Sequence, residues 1–334
     1  MNTLTIITVS FGHKSLIESN IEFVKQMNPN TDVKWVIVEN TPKDKNDKFE
    51  IGDFKGEIII EGVPNTFNGI ASASYHHASG LNTALQEVRT RYVLILDPDF
   101  YIVRKNWIND SLAHMIKNNL SFFGAPYNPK RYMKYRYFPC VHCMFIDLSK
   151  IDKGKIDFTP QYKQQNNFEN KKIIISNVKN NPVTNFIRNF KYHLKIILKR
   201  KSIIGSSKDT GYKIFNDFYY LTDIKSECLQ PVFGKNIPKI KPMYLKWWAN
   251  LFIEKFLPES FCYLPKINNY YTKNDFTEMG FSGVLERGWD EFVWKSRPFG
   301  FHLQGANKNG TTENHTNDLP DLKEVLKYYS ELNK

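Results

Sequence analysis

The sequence predicts an α/β protein: a doubly wound, mostly parallel sheet with a basic helical insertion and a C-terminal helical extension. Three observations carry that expectation. Short β-rich apolar runs alternate with amphipathic helical stretches from the N-terminus onward. The run Tyr92-Val93-Leu94-Ile95-Leu96 is apolar throughout, as befits a strand covered on both faces. A later stretch, Lys171 through Lys208, holds ten Lys and Arg and no Asp or Glu, and so differs in character from the rest. The chain has 334 residues, more than one ordinary core usually holds, which suggests one large domain with an appendage. A hydrophobic fraction of 41% and an aromatic fraction of 15% supply a substantial core and exclude a disordered chain.

In order, Leu4–Val9 is the first strand, and Ser10-Phe11-Gly12 turns the chain. Leu16, Ile17, Ile21, Val24 and Met27 recur at helical spacing, so Ser15–Met27 is an amphipathic helix ended by Asn28-Pro29-Asn30. Val33–Val38 is the second strand, and this βαβ unit implies a parallel, right-handed crossover. Thr41–Lys48 is charged and turn-like, Glu57–Glu61 is a third strand, and Ser74–Val88 is a helix leading to Tyr92–Leu96. That strand stops at Asp97, because Pro98 cannot donate a ladder hydrogen bond. Trp107–Asn118 is a helix, and Ser121–Ala125 and Val141–Ile146 are further strands.

Within the acid-free stretch, Val183, Phe186, Ile187, Phe190, Leu194, Ile197 and Leu198 fall on one side of a helix, and Arg188, Lys191, Lys195 and Lys199 on the other. Such a helix lies in an anionic membrane interface or packs on the core and solvates its charges; both alternatives stand. Tyr244–Leu257 is an aromatic-rich helix, and Leu319–Leu332 a terminal one. These changes of character divide the chain into residues 1–150, a basic insertion over 151–208, and a C-terminal part over 209–334.

The net charge of +12 points to an anionic partner: nucleotide phosphates, an anionic membrane surface or nucleic acid. No recognised DNA- or RNA-binding module is present, so nucleic acid is not expected. No apolar run is long enough to span a bilayer, and Met1–Val9 lacks the basic region and cleavage site of a signal peptide. The expected location is the cytoplasm, with the inner face of the cytoplasmic membrane as a peripheral site. Four cysteines make no disulfide framework in a chain of this size, and the Cys140 and Cys143 pair is expected to be buried and structural.

Asp97 and Asp99 close the central strand, where an open α/β sheet binds ligands. Two acids there are costly unless something positive sits against them. An acidic turn accounts for the tripeptide alone. A divalent cation carrying a phosphorylated substrate accounts for both its chemistry and its place, since Mg²⁺ and Mn²⁺ prefer carboxylate and phosphate oxygens. Gly80-Leu81-Asn82-Thr83-Ala84-Leu85 followed by Arg91-Tyr92-Val93-Leu94-Ile95-Leu96-Asp97-Pro98-Asp99 resembles the signature of family-2 glycosyltransferases of the GT-A fold. Thr5–Phe11 is similar to that family's first strand, and Val36-Ile37-Val38-Glu39-Asn40 to its second, with Glu39 where Asp is more usual. The likeness covers residues 1–100 well and the middle weakly.

That resemblance implies a metal-dependent, inverting transfer of a sugar from a nucleotide-sugar donor to a glycan or lipid-linked acceptor, in bacterial-type surface polysaccharide synthesis. It implies that Asp97 and Asp99 hold Mn²⁺ or Mg²⁺ with the diphosphate, and that Glu39 meets the nucleobase or ribose. Ser10 and Asn82 would give polar contacts to nucleoside and phosphates, although turn and cap chemistry accounts for both equally. Asp209, in Lys208-Asp209-Thr210-Gly211-Tyr212-Lys213-Ile214, matches the family's base-bearing phrase, with Lys208 where an acid is usual. Asp217, Asp223 and Glu227 are the next candidates for the base. His302, in Gly300-Phe301-His302-Leu303-Gln304-Gly305, resembles the family's C-terminal metal ligand, while His76, His77 and His142 are weaker candidates that would line the acceptor cleft. Two other classes stay in view: a nucleotidyltransferase of similar architecture, although Ser10-Phe11-Gly12-His13 lacks its Gly- and Lys-rich loop, and a basic nucleic-acid-binding protein.

Overall fold

The first strand, β1 (Leu4–Ser10), is buried at every position, as a central strand between two layers of helices must be. β2 (Val33–Glu39) and β4 (Tyr92–Leu96) flank it in parallel, and β3 (Ile58–Glu61) adds to β2 in the same sense. On the other side of β4 come β7 (Cys143–Asp147), β6 (Phe122–Gly124) and β8 (Ser226–Cys228). The seven-stranded order is β3-β2-β1-β4-β7-β6-β8, and β7 alone runs against the rest. The mostly parallel α/β sheet expected from the sequence is the observed one. The computed structural model describes residues 4–42, 46–51, 58–62, 73–127, 135, 137–160, 210–233, 271–272, 289–303 and 319–332.

Helices cover both faces. α1 (Lys14–Met27), α3 (Trp107–Lys117) and α5 (Leu319–Leu332) pack on one side, where Trp35 and Trp107 are fully enclosed. α2 (Ala73–Glu87) and α4 (Tyr212–Phe218) close the other, around Ile95, Phe122, Phe138 and Phe215. Two helix starts are capped from elsewhere in the chain. The N–H and hydroxyl of Ser15 donate to Asp47 Oδ1 at 3.0 and 2.6 Å, so the charged turn after β2 satisfies the first turn of α1. Asn28, which ends α1, accepts the N–H of Ile108 on α3 at 3.1 Å.

A second, five-stranded sheet has the order β10-β9-β11-β12-β5. It consists of β5 (Phe100–Ile102), β9 (Gln230–Phe233), β10 (Tyr271–Thr272), β11 (Asp290–Trp294) and β12 (Arg297–His302). The sequence predicts a strand that ends at Asp97 and carries no sign of β5. Phe100, Tyr101 and Ile102 are as buried as β4 itself, but their partner is β12, near the far end of the chain. The acid pair therefore lies in the turn where the chain passes from one sheet to the other.

α2 approaches β1 closely because it carries Gly80: a Cβ there would come within 2.8 Å of the Val9 side chain. Its Asn82 fastens the segment after a short 3₁₀ turn (Lys153–Lys155). The amide accepts the N–H of Phe158 at 3.0 Å and donates to Asp157 Oδ1 at 3.1 Å. Asp157 in turn pairs with Lys213 on α4. The basic helix expected over 183–199, the aromatic helix over 244–257 and Asp209 lie outside the described residues.

Candidate active site

Asp97 follows the last residue of β4, and its position is set by ladder geometry. β4 pairs with β7 so that Leu96 faces Cys143, and the Asp97 N–H extends the ladder by donating to the His142 carbonyl at 3.0 Å. That register puts the His142 imidazole beside the Asp97 carboxylate, where Nδ1 donates to Oδ2 at 2.6 Å. From the opposite side α2 brings His77, whose Nε2 lies 3.2 Å from Asp97 Oδ1. Asp99 is placed by the second sheet. His302 pairs with Phe100, the Leu303 N–H donates to the Asp99 carbonyl at 2.9 Å, and His302 Nε2 donates to Asp99 Oδ1 at 3.1 Å. The His142 and His302 rings stack with centroids 4.3 Å apart.

Two acids and three imidazoles thus converge from β4, its following turn, α2, the residue before β7, and the end of β12. Burial alone would push the Asp97 carboxyl up. The charge of His77 and the hydrogen bond from His142 outweigh it and hold the group well below the ordinary carboxylate range. Burial also opposes a charged His142, yet Cys140 and Asp97 together raise its pKa well above that of a free imidazole. Asp97 is ionised at neutral pH and stays so through its histidines.

The residues present fit a divalent cation. Asp97, His142 and His302 each offer a ligating atom within 4.8 Å of the others. Asp97 Oδ1 is buried and has no hydrogen-bond partner among the described residues, with His77 Nε2 at 3.2 Å as its charge partner. A cation in contact with that oxygen would satisfy it. Imidazole nitrogen with carboxylate oxygen suits Mn²⁺, whereas Mg²⁺ prefers a shell of oxygen alone.

The other residues singled out in the sequence divide in two. Ser10 ends β1, one strand over from the acid turn; it is fully buried, and its hydroxyl has no hydrogen-bond partner among the described residues. Glu39 ends β2, and both its oxygens are engaged by backbone, accepting the N–H of Thr41 at 2.7 Å and of Phe49 at 2.8 Å. It closes the loop beyond β2. Asn82 is occupied by the Asp157–Thr159 segment. Asp217 and Asp223 are exposed, and Glu227 pairs with His114 of α3 at 2.9 Å. Thr210, which follows Asp209, donates from its hydroxyl to the Ser74 carbonyl at 2.8 Å, in the first turn of the helix that carries His77. His77 and His142, the weaker candidates of the sequence, both stand against Asp97. Periodicity within either segment carries no information about that meeting, because it depends on register between strands and on the tilt of α2. Cys140 and Cys143 are buried free thiols.

No protein-family model matches the chain, and neither does any curated protein. Among solved structures, it is similar to the mannosyltransferase PcManGT from Pyrobaculum calidifontis in complex with GDP-Man and Mn²⁺. That likeness has 13% identity and a TM-score of 0.32, over 45% of this chain and 46% of that one. Similarity to S. aureus TarS 1-349 in complex with UDP-GlcNAc has 14% identity and a TM-score of 0.34, over 49% and 50% of the two chains. The galactosyltransferase LgtC, in complex with donor and acceptor sugar analogs, is 15% identical at a TM-score of 0.32, over 45% and 61%. The chain spans about half the length of the first solved structures it matches.

Proposed function

We propose that the chain is a metal-dependent, inverting glycosyltransferase. It would move a sugar from a nucleotide-sugar donor to a glycan or lipid-linked acceptor in surface polysaccharide synthesis, at the inner face of the cytoplasmic membrane. The observation that carries the reading is the ionised Asp97, whose Oδ1 is buried and has no hydrogen bond among the described residues, with His142 and His302 within ligating reach. A pair of acids at the carboxyl end of a central strand suits a cation that carries a diphosphate.

Asp97, Asp99, His142 and His302 would hold the metal, which as a Lewis acid stabilises the charge on a departing diphosphate. The chain's own residues do the rest. His77 and His142 keep Asp97 ionised. Ser10, fully buried at the end of β1, and Glu39, whose oxygens are both engaged by backbone, would shape the floor under the nucleoside. Asn82 contributes through the segment it fastens. Asp209 is the base that takes the acceptor's hydroxyl proton, so that attack comes from the face opposite the leaving group and inverts the sugar.

A panel of sugar nucleotides with and without Mn²⁺, read by thermal unfolding, tests the proposal. A bound donor raises the melting temperature by mass action. At least one sugar nucleotide should do so only when Mn²⁺ is present; a panel without any metal-dependent shift contradicts the reading. Asp209→Asn should keep the shift and lose transfer, and near-normal turnover would remove Asp209 as the base.

A further inference from the structure

A cavity of about 450 Å³ opens where the main sheet gives way to the second one, between β8, β9 and the β11–β12 hairpin. It is of the size that small-molecule sites occupy. We propose that it binds a sugar ring of the acceptor, a proposal that rests on the transferase reading for the role of that sugar.

Three features argue for it. The first is position. β6 runs into Ala125, Pro126 and Tyr127, and the last two line the cavity at that strand's carboxyl end, the same edge on which β4 presents Asp97. Tyr127 belongs to both places, for its ring also packs edge-on against His142 at 5.4 Å between centroids. A sugar in the cavity would be one aromatic ring away from the candidate metal ligands.

The second feature is the chemistry of the wall. Glu227 accepts from His114 through Oε1, and a carboxylate accepts through both oxygens, so sugar hydroxyls meet an acceptor here. Gln230 and Lys295 bring donors, while Tyr127 and Tyr137 bring rings against which a pyranose C–H face packs. Glu227 and Lys295 offset one another, so the wall offers a diphosphate no net positive charge and fits an uncharged sugar better than the donor's diphosphate.

The third is backbone strain. Tyr137 is half-buried with φ of 60°. A bulky residue is strained there, and such residues cluster at ligand clamps. Lys295 also has positive φ, but it shares this with Ser296 in the two-residue turn of the β11–β12 hairpin, which demands it.

Saturation-transfer NMR with the methyl glycosides of glucose, galactose and N-acetylglucosamine, without nucleotide or metal, tests the site. At least one glycoside should receive saturation from the wild-type protein. Its affinity should fall about tenfold or more in Glu227→Gln and in Tyr137→Ala, since each removes a polar or aromatic contact to the ring. Both variants should keep the wild-type melting temperature and Mn²⁺-dependent UDP or GDP binding. Silence from all three glycosides, or equal transfer in the variants, overturns the proposal. If glycosides bind as expected but no sugar nucleotide does, the transferase reading and the acceptor role fall together. If sugar nucleotides turn over while the variants leave the acceptor KM unchanged, the cavity assignment alone is overturned.

Discussion

A carboxylate at the buried end of an apolar strand persists only when charges or hydrogen bonds replace its lost water. Asp97 has His142 at 2.6 Å and His77 at 3.2 Å, and Asp99 has His302 at 3.1 Å. Removing one imidazole should therefore weaken a metal more than it perturbs the fold. His142→Ala and His302→Ala should each lower Mn²⁺ affinity by about 10–100-fold, the range found when a ligand's orienting partners are lost. Electron paramagnetic resonance of free and bound Mn²⁺ measures this directly. Affinity unchanged in His142→Ala would exclude that residue from the centre. The acid pair was legible in the sequence because its two members sit one residue apart at a strand end. His302 was legible only through resemblance, and the place of His142 was not, since the register of β4 against β7 decides it.

Among elements, the β5–β12 ladder and the α2–β1 contact matter most to the site. The first sets Asp99 beside His302. The second holds His77 over Asp97, and Gly80 makes it possible. Gly80→Ala forces a Cβ to within 2.8 Å of Val9 and should cost about 1–3 kcal/mol, as overpacking generally does, despite the better helix propensity of alanine. Urea unfolding tests this; a neutral or stabilised variant would mean that α2 shifts freely.

The strap from Asn82 through Asp157 to Lys213 has a pH signature. Burial pulls the Asp157 carboxyl upward, but Lys213, Thr159 and Asn82 outweigh it and lower its pKa from 3.8 to about 2. A carboxylate lowered on folding gives stability that is fully present above its unfolded pKa and is lost as pH falls through the folded one. Stability should decline between about pH 4 and pH 2 by an amount that Asp157→Asn removes, and solvent screening keeps it at about 1 kcal/mol or less. Melting curves across that window read the difference. The main strands were legible because a buried strand writes its burial into consecutive apolar residues. β5 was hidden because it lies beyond a proline and pairs with a strand near the other end of the chain.

For the molecule as a whole, alternating apolar runs and the first βαβ unit imply the parallel pairing of β1 with β2, and the observed order is β3-β2-β1-β4-β7-β6-β8. The antiparallel entry of β7 is not implied, because Val141–Ile146 carries no mark of its direction. Charge adds a separate expectation. The ten basic residues over 171–208 account for most of the net charge of +12. No helix among the described residues is long and apolar enough to cross a membrane. The basic stretch carries no apolar run long enough to span a bilayer, and its charges suit a peripheral attachment to anionic lipid. Deleting residues 186–201 should reduce co-sedimentation with anionic liposomes; unchanged co-sedimentation would leave those charges to solvent.

The central claim is that the turn between the two sheets carries a divalent cation and, through it, a nucleoside diphosphate. Titration calorimetry of UDP and GDP into wild-type protein and Asp99→Ala, each with Mn²⁺ and with chelator, tests it most directly. The expected result is nucleotide binding by the wild type in Mn²⁺, lost on chelation and lost in Asp99→Ala while the fold is retained. Equal nucleotide affinity in the wild type and a folded Asp99→Ala protein, both with Mn²⁺ present, would contradict the account.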